Sequence, residues 1–179
     1  MTLHSEIFEQ PERLASLFAN QKQTVIEIAQ AIQSRNVQYA FLAARGTSDN
    51  AGRYANYLWG AHNGIPLALA APSLFTYYQS PPRLQGALVI GVSQSGQSPD
   101  IVSVLEEGRQ QGCLTLAITN VTDSPLAKTA ELVLDIQAGK VTVASDLTVG
   151  GLTGSGSVEN GGTGSKWLFV ANNTHNIIN

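Results

Sequence analysis

The sequence predicts a three-layer α/β domain, in which a doubly wound, five-stranded parallel sheet carries helices on both faces. A short Gly-rich tail of β or irregular structure follows it. Three observations carry this. Five apolar runs without polar alternation recur between residues 39 and 137, as strands buried on both faces require. Segments with helical spacing separate them, as crossovers between parallel strands demand. Right-handed crossovers then favour the flavodoxin-like order, with the first and third strands side by side.

The elements follow in chain order. Leu3, Ile7, Leu14, Leu17 and Phe18 surround Pro11 and suggest two short helical pieces over residues 3–19. Asn20, with Gln23 three residues on, resembles a capping box, and Val25, Ile28, Ala29 and Ile32 then mark one helix face. Tyr39–Ala44 reads as the first strand and Ser48–His62 as a helix. Leu67–Ala71 is the second strand, and Ser73–Tyr78 a helical turn. Ala87–Val92 is the third strand, and Ile101, Val104, Leu105 and Gly108 lie at helical spacing after it. Leu114–Thr119 is the fourth strand, Pro125–Ala130 a short helix and Leu132–Gln137 the fifth strand. Beyond Lys140 the composition shifts to Gly, Thr, Ser, Asn and Val. A boundary near that residue separates a domain over 1–140 from a tail over 141–179.

Composition narrows the function. Hydrophobic residues make up 43% of the 179 and charged residues 13%, so the chain is expected to fold around a sizeable core. A net charge of −3 argues against nucleic acid or an anionic membrane as partner. No run is long enough to span a membrane and no secretory leader is visible, which makes the cytoplasm the expected location. Cys113 is the only cysteine, expected as a small core residue in a reducing compartment.

The most informative stretch is Ser93-Gln94-Ser95-Gly96-Gln97-Ser98-Pro99, between the third strand and the following helix. Ser98 suits an N-cap and Pro99 the first helical position. The N–H groups of that first turn, the helix dipole and the serine hydroxyls together suit an anion such as phosphate, without Lys or Arg. Arg45-Gly46-Thr47-Ser48-Asp49-Asn50 ends the first strand, so the strand order would place both loops at one crevice. Either loop alone could be a plain strand-to-helix connection, with Gly46 making a turn and Ser48 a cap. Together they read as a small anionic-ligand site. The candidate binding residues are Gly46, Thr47, Ser48, Ser93, Gln94, Ser95, Gly96 and Ser98. No catalytic residue is assigned.

Other chemistries fit less well. Gly91-Val92-Ser93-Gln94-Ser95 lacks the closing Gly of a nucleophile elbow. His4, His62 and His175 do not cluster and there is one Cys, so no metal is expected. No Walker-type sequence is present. The Ser-rich loop has a flavin phosphate-loop character but follows the third strand, not the first, so flavin binding is a minor alternative and no cofactor is expected. Glu106 and Glu107 read as a solvated face beside Arg109, and Tyr54, Tyr57 and Trp59 as packing residues.

Residues 43–54, Ala-Ala-Arg-Gly-Thr-Ser-Asp-Asn-Ala-Gly-Arg-Tyr, and 90–100, Ile-Gly-Val-Ser-Gln-Ser-Gly-Gln-Ser-Pro-Asp, resemble the SIS (sugar isomerase) domain. The likeness is to the first half of isomerising aminotransferases and deaminases related to glucosamine–fructose-6-phosphate aminotransferase but lacking the glutaminase domain. Residues 70–75, 116–120 and 123–127 support it, over about 3–140. The resemblance implies that Ser93, Gln94, Ser95, Gly96 and Ser98 hold the phosphate of a hexose 6-phosphate, an amino sugar or ketose phosphate. It implies that Gly46, Thr47 and Ser48 add phosphate or sugar contacts. The reaction class it implies is aldose–ketose isomerisation coupled to amino transfer or deamination.

Such relatives carry two tandem SIS domains, with the base, an imine-forming Lys and a catalytic His in the second. That half is missing here, and the Glu and later Lys expected after Ala138-Gly139-Lys140 are absent. The expectation is therefore a sugar-phosphate-binding half without a complete catalytic set. One alternative is a single-domain isomerase active as an oligomer. Another gives the tail, which resembles autotransporter passenger β-strand repeats, an interaction role through Trp167–Val170. A homodimer is expected, because the fifth strand would otherwise be left uncovered.

Overall fold

Strand β1, Tyr39–Ala44, lies near the middle of a sheet whose every pairing is parallel. In the computed structural model its neighbours are β2 (Leu67–Leu69) and β3 (Ala87–Val92), followed by β4 (Leu114–Thr119) and β5 (Leu132–Asp135), in the order β2-β1-β3-β4-β5. The structure describes residues 3–137, 141–143, 158–160, 168–169 and 177–178. The order is the doubly wound one expected from sequence. The register pairs Ala44 with Val92 and Val92 with Ile118, so three strands end at a common level.

Helices α1 (Leu3–Asn20) and α2 (Lys22–Ser34) precede the sheet, and α3 (Thr47–Asn63), α4 (Ser73–Thr76), α5 (Pro99–Gln110) and α6 (Pro125–Thr129) connect its strands. Residues Leu17–Gln137 form one compact unit; residues 3–16 and the described parts of 138–179 belong to a second. In the first unit, α5 and α6 share a core with one sheet face through Val89, Ile101, Val104, Leu105, Ala117 and Leu126. Gly91 and Gly108 allow α5 to lie close. A Cβ on Gly91 would stand 2.7 Å from Leu105, and one on Gly108 would stand 2.8 Å from Val89. The other face packs Leu42, Leu88, Ile90 and Leu116 against Ile28 of α2 and Ala55 and Trp59 of α3.

Several expectations are corrected. Residues 3–20 form one helix through Pro11, not two pieces. Proline's φ already suits a helix, and the lost hydrogen bond does not break this one. Asn20 closes α1, and the N-cap of α2 is Gln21, which makes no side-chain capping bond; Gln23 donates to Glu27. The packing face of α2 is Ile28, Ala31 and Ile32, while Val25 and Ala29 are exposed. Strand β2 ends at Leu69, although Ala70 still donates to Leu42 O, because Pro72, three residues on, is already the N-cap of α4. Tyr54 and Tyr57 are exposed, at 66% and 79%. Gly52 turns the opposite side of α3 onto Leu42 and Leu69, and only Trp59 of the three aromatics packs inward.

The tail falls mostly outside the described residues. Within them, β6 (Val141–Val143) pairs in parallel with β7 (Val158–Asn160), and β8 (Leu168–Phe169) antiparallel with β9 (Ile177–Ile178). The Trp167–Val170 reading is touched by β8 alone.

Candidate functional site

The two loops singled out in the sequence leave the C-terminal ends of β1 and β3, which pair along their whole length. The topology therefore brings Gly46, Thr47 and Ser48 to the same end of the sheet as Ser93–Ser98. An ion pair spans the loops: Arg45 Nη1 lies 3.4 Å from Asp100 Oδ2.

The first loop turns at Gly46, whose φ of 57° and ψ of −129° exclude a side chain. Gly46 is itself the N-cap of α3, so the idea that Ser48 caps this helix does not hold. Ser48 lies in the first turn, its N–H donating to Arg45 O at 3.2 Å, and Asp49 donates likewise to Gly46 O. Thr47 is exposed and Ser48 half-buried.

The second loop is more firmly held. Ser93 is buried; its N–H donates to Ile118 O, and its Oγ accepts from Gly96 N at 3.2 Å. Ser93 Oγ also lies 3.4 Å from Ser98 Oγ. Ser95 Oγ accepts from Gln97 N at 3.3 Å. Ser98 is the N-cap residue of α5 and Pro99 follows at N1, as the sequence suggests, but the Ser98 hydroxyl makes no capping bond. Both α3 and α5 thus start at this end of the sheet without a side chain closing their first turns. By contrast, α6 is capped by Ser124, whose Oγ accepts from Ala127 N.

Sequence reasoning gave no role to the loop after β4, which holds the second loop in place. Asn120 N and Thr119 Oγ1 both donate to Gln94 O, at 3.0 and 3.1 Å, and Leu126 N donates to Gly96 O at 3.1 Å. Ser124, 1% exposed, stands against Gly96. The available signal was Asp123-Ser124-Pro125, a polar cap before a proline at N1, whose relation to Gly96 only the fold reveals.

Two uncapped helix starts, hydroxyls at 47, 48, 93, 95 and 98, and a parallel sheet's carboxyl edge at a change of winding direction define a small-ligand α/β domain suited to an anion. The SIS domain profile matches residues 33–152, and the chain belongs to the SIS domain family. It is 32% identical over 146 residues to a glutamine–fructose-6-phosphate aminotransferase (isomerizing) of Bradyrhizobium diazoefficiens, covering 78% of this chain and 24% of that protein. Among solved structures, a candidate phosphosugar isomerase from Silicibacter pomeroyi DSS-3 superposes with a TM-score of 0.73 at 36% identity, over 76% of this chain and 42% of that one. The C-terminal domain of glucosamine-fructose-6-phosphate aminotransferase from Francisella tularensis gives 0.63 at 25% identity, over 75% and 39%. The chain spans about a quarter of the length of the curated relatives it matches. These matches do not support the autotransporter likeness of the tail.

Among the described residues no group of three or more His, Cys, Asp or Glu is placed to hold a metal ion. Nor is any helix there long and apolar enough to cross a membrane.

Proposed function

We propose that the chain binds a hexose 6-phosphate, an amino sugar or ketose phosphate, as one half of a sugar-phosphate isomerase, aminotransferase or deaminase. The observation that carries this is the convergence of two hydroxyl-rich loops and two uncapped helix starts at the ends of paired strands β1 and β3. Ser93, Gln94, Ser95, Gly96 and Ser98 cradle the phosphate; Gly46, Thr47 and Ser48 meet the phosphate or the sugar. The relatives' names, an aminotransferase of fructose 6-phosphate and a candidate phosphosugar isomerase, support this ligand class.

Turnover needs groups beyond these loops. Their carboxylates meet arginines, Asp49 with Arg53 at 3.0 Å and Asp100 with Arg45 at 3.4 Å, and neither is assigned a role as general base. We assign the chain binding without a complete catalytic set. We place it in the cytoplasm, consistent with a lone, buried Cys113 thiol, and read it as a homodimer. The support for a dimer is the exposed Tyr54, Tyr57 and Leu58 on α3.

Thermal denaturation with glucosamine 6-phosphate and fructose 6-phosphate, against glucose and inorganic phosphate, tests the reading. A ligand that binds only the folded state raises the melting temperature, by about 2.7 kcal/mol of stabilisation at a hundredfold excess over Kd. The expected result is a saturable rise with the sugar phosphates, abolished in the Ser93→Ala/Ser95→Ala double variant. A cooperative transition that no sugar phosphate moves would refute it.

A further inference from the structure

We infer that Arg45 is an electrostatic shield in this site: it neutralises the Asp100 carboxylate, which would otherwise repel the phosphate of the ligand. This rests on the sugar-phosphate reading above. Asp100 follows Pro99 in the first turn of α5, the turn whose dipole and N–H groups suit an anion. A carboxylate there occupies the same favourable field as the phosphate and opposes it by like charge. Its Oδ1 is buried and makes no hydrogen bond, so this oxygen is already poorly solvated. Its Oδ2 meets Arg45 Nη1 at 3.4 Å, from the other ligand loop.

Stability is a weak reason for this pair. The Arg45 side chain is 69% exposed, and ion pairs so exposed contribute little to folding. Asp100 as a first-turn acid would favour α5 without any partner. What the arrangement changes is the charge facing an incoming dianion: carboxylate and guanidinium together are neutral, and the carboxylate alone is not. Arg45 is therefore a positioning and charge-compensating residue, and Asp100 is the group it acts on.

The test is a set of single and double variants of the full chain, titrated with glucosamine 6-phosphate by calorimetry, with ligand-free melting recorded for each. Arg45→Ala should weaken binding on the order of tenfold, equivalent to about 1.4 kcal/mol of solvent-screened repulsion. The loss should be larger at low salt. Asp100→Asn added to Arg45→Ala should restore binding to near the wild-type value, and Arg45→Lys should retain most of it. A merely structural pair would lower ligand-free melting without this rescue. If the double variant stays as weak as Arg45→Ala, or if Arg45→Ala binds normally, the shield is overturned while the sugar-phosphate reading stands. If wild-type protein binds no sugar phosphate, that reading fails first and the shield falls with it.

Discussion

Gly96 stands with a φ of +63° directly against Ser124, and both facts exclude a side chain. Replacing it by Ala adds left-handed strain to a clash with a hydroxyl fixed as a helix cap. The expected cost is about 2–4 kcal/mol in urea unfolding, together with loss of sugar-phosphate binding. Cys113 makes a second prediction. Burial pushes its thiol up, against a smaller opposite effect of the Ala87 backbone hydrogen bond. Burial raises the Tyr39 hydroxyl as well, and the nearby Cys113 adds to this. The unfolded chain therefore gives up these protons at lower pH than the folded chain. Stability is full below the ordinary thiol range and falls as pH rises through it toward the raised folded values. Urea midpoints between about pH 8 and about pH 10 should decline, and less steeply in Cys113→Ala. The Ser93–Ser98 loop stood out in the sequence because hydroxyls, Gly and Pro fall together at a strand-to-helix junction, although alone it reads equally as a plain connection. Ser124 did not, because its importance lies in standing against a residue far away in sequence.

Helices α3 and α5 begin at the site without side-chain caps, whereas Ser124 caps α6 behind it. Ser124→Ala leaves the Ala127 N–H without its partner in a buried place. It should cost about 1–2 kcal/mol, read by urea unfolding, and loosen the hold of Leu126 on Gly96 O. Strands β1, β3 and β4 were legible to the residue, because an apolar run between turn residues has hard edges. Strands β2 and β5 end at Leu69 and Asp135, two residues short of the Ala71 and Gln137 expected. Helix faces were less legible. The expected face of α2 included Val25 and Ala29, and the structure exposes both. Tyr54 and Tyr57 looked like core because they are large, but Gly52 decides which side of α3 meets the sheet. Spacing gives a helix its stripe; a close contact chooses which stripe is buried.

Over the unit from Leu17 to Gln137, the doubly wound order could be foreseen, since right-handed crossovers leave few alternatives for five parallel strands. The aromatic stripe on α3 could not, and it carries the prediction at this scale. Light scattering should show a dimer. Tyr57→Glu with Leu58→Glu should shift it to a monomer while the sugar-phosphate response survives. A wild-type chain that scatters as a monomer at tens of micromolar would remove the homodimer. No residue of the second unit enters these arguments, so deletion of residues 141–179 should leave the ligand response in place.

The pairing of Ala44 with Val92 brings together ends separated by α3, β2 and α4. A ligand that needs both loops thus has nothing to grip until that long closure is complete, late in the assembly of a parallel sheet. In a stopped-flow experiment, saturating sugar phosphate should lower the unfolding arm of the chevron and leave the refolding arm where it was. The bound sugar would act as a latch on a finished door, lengthening the life of the native state without hastening its arrival.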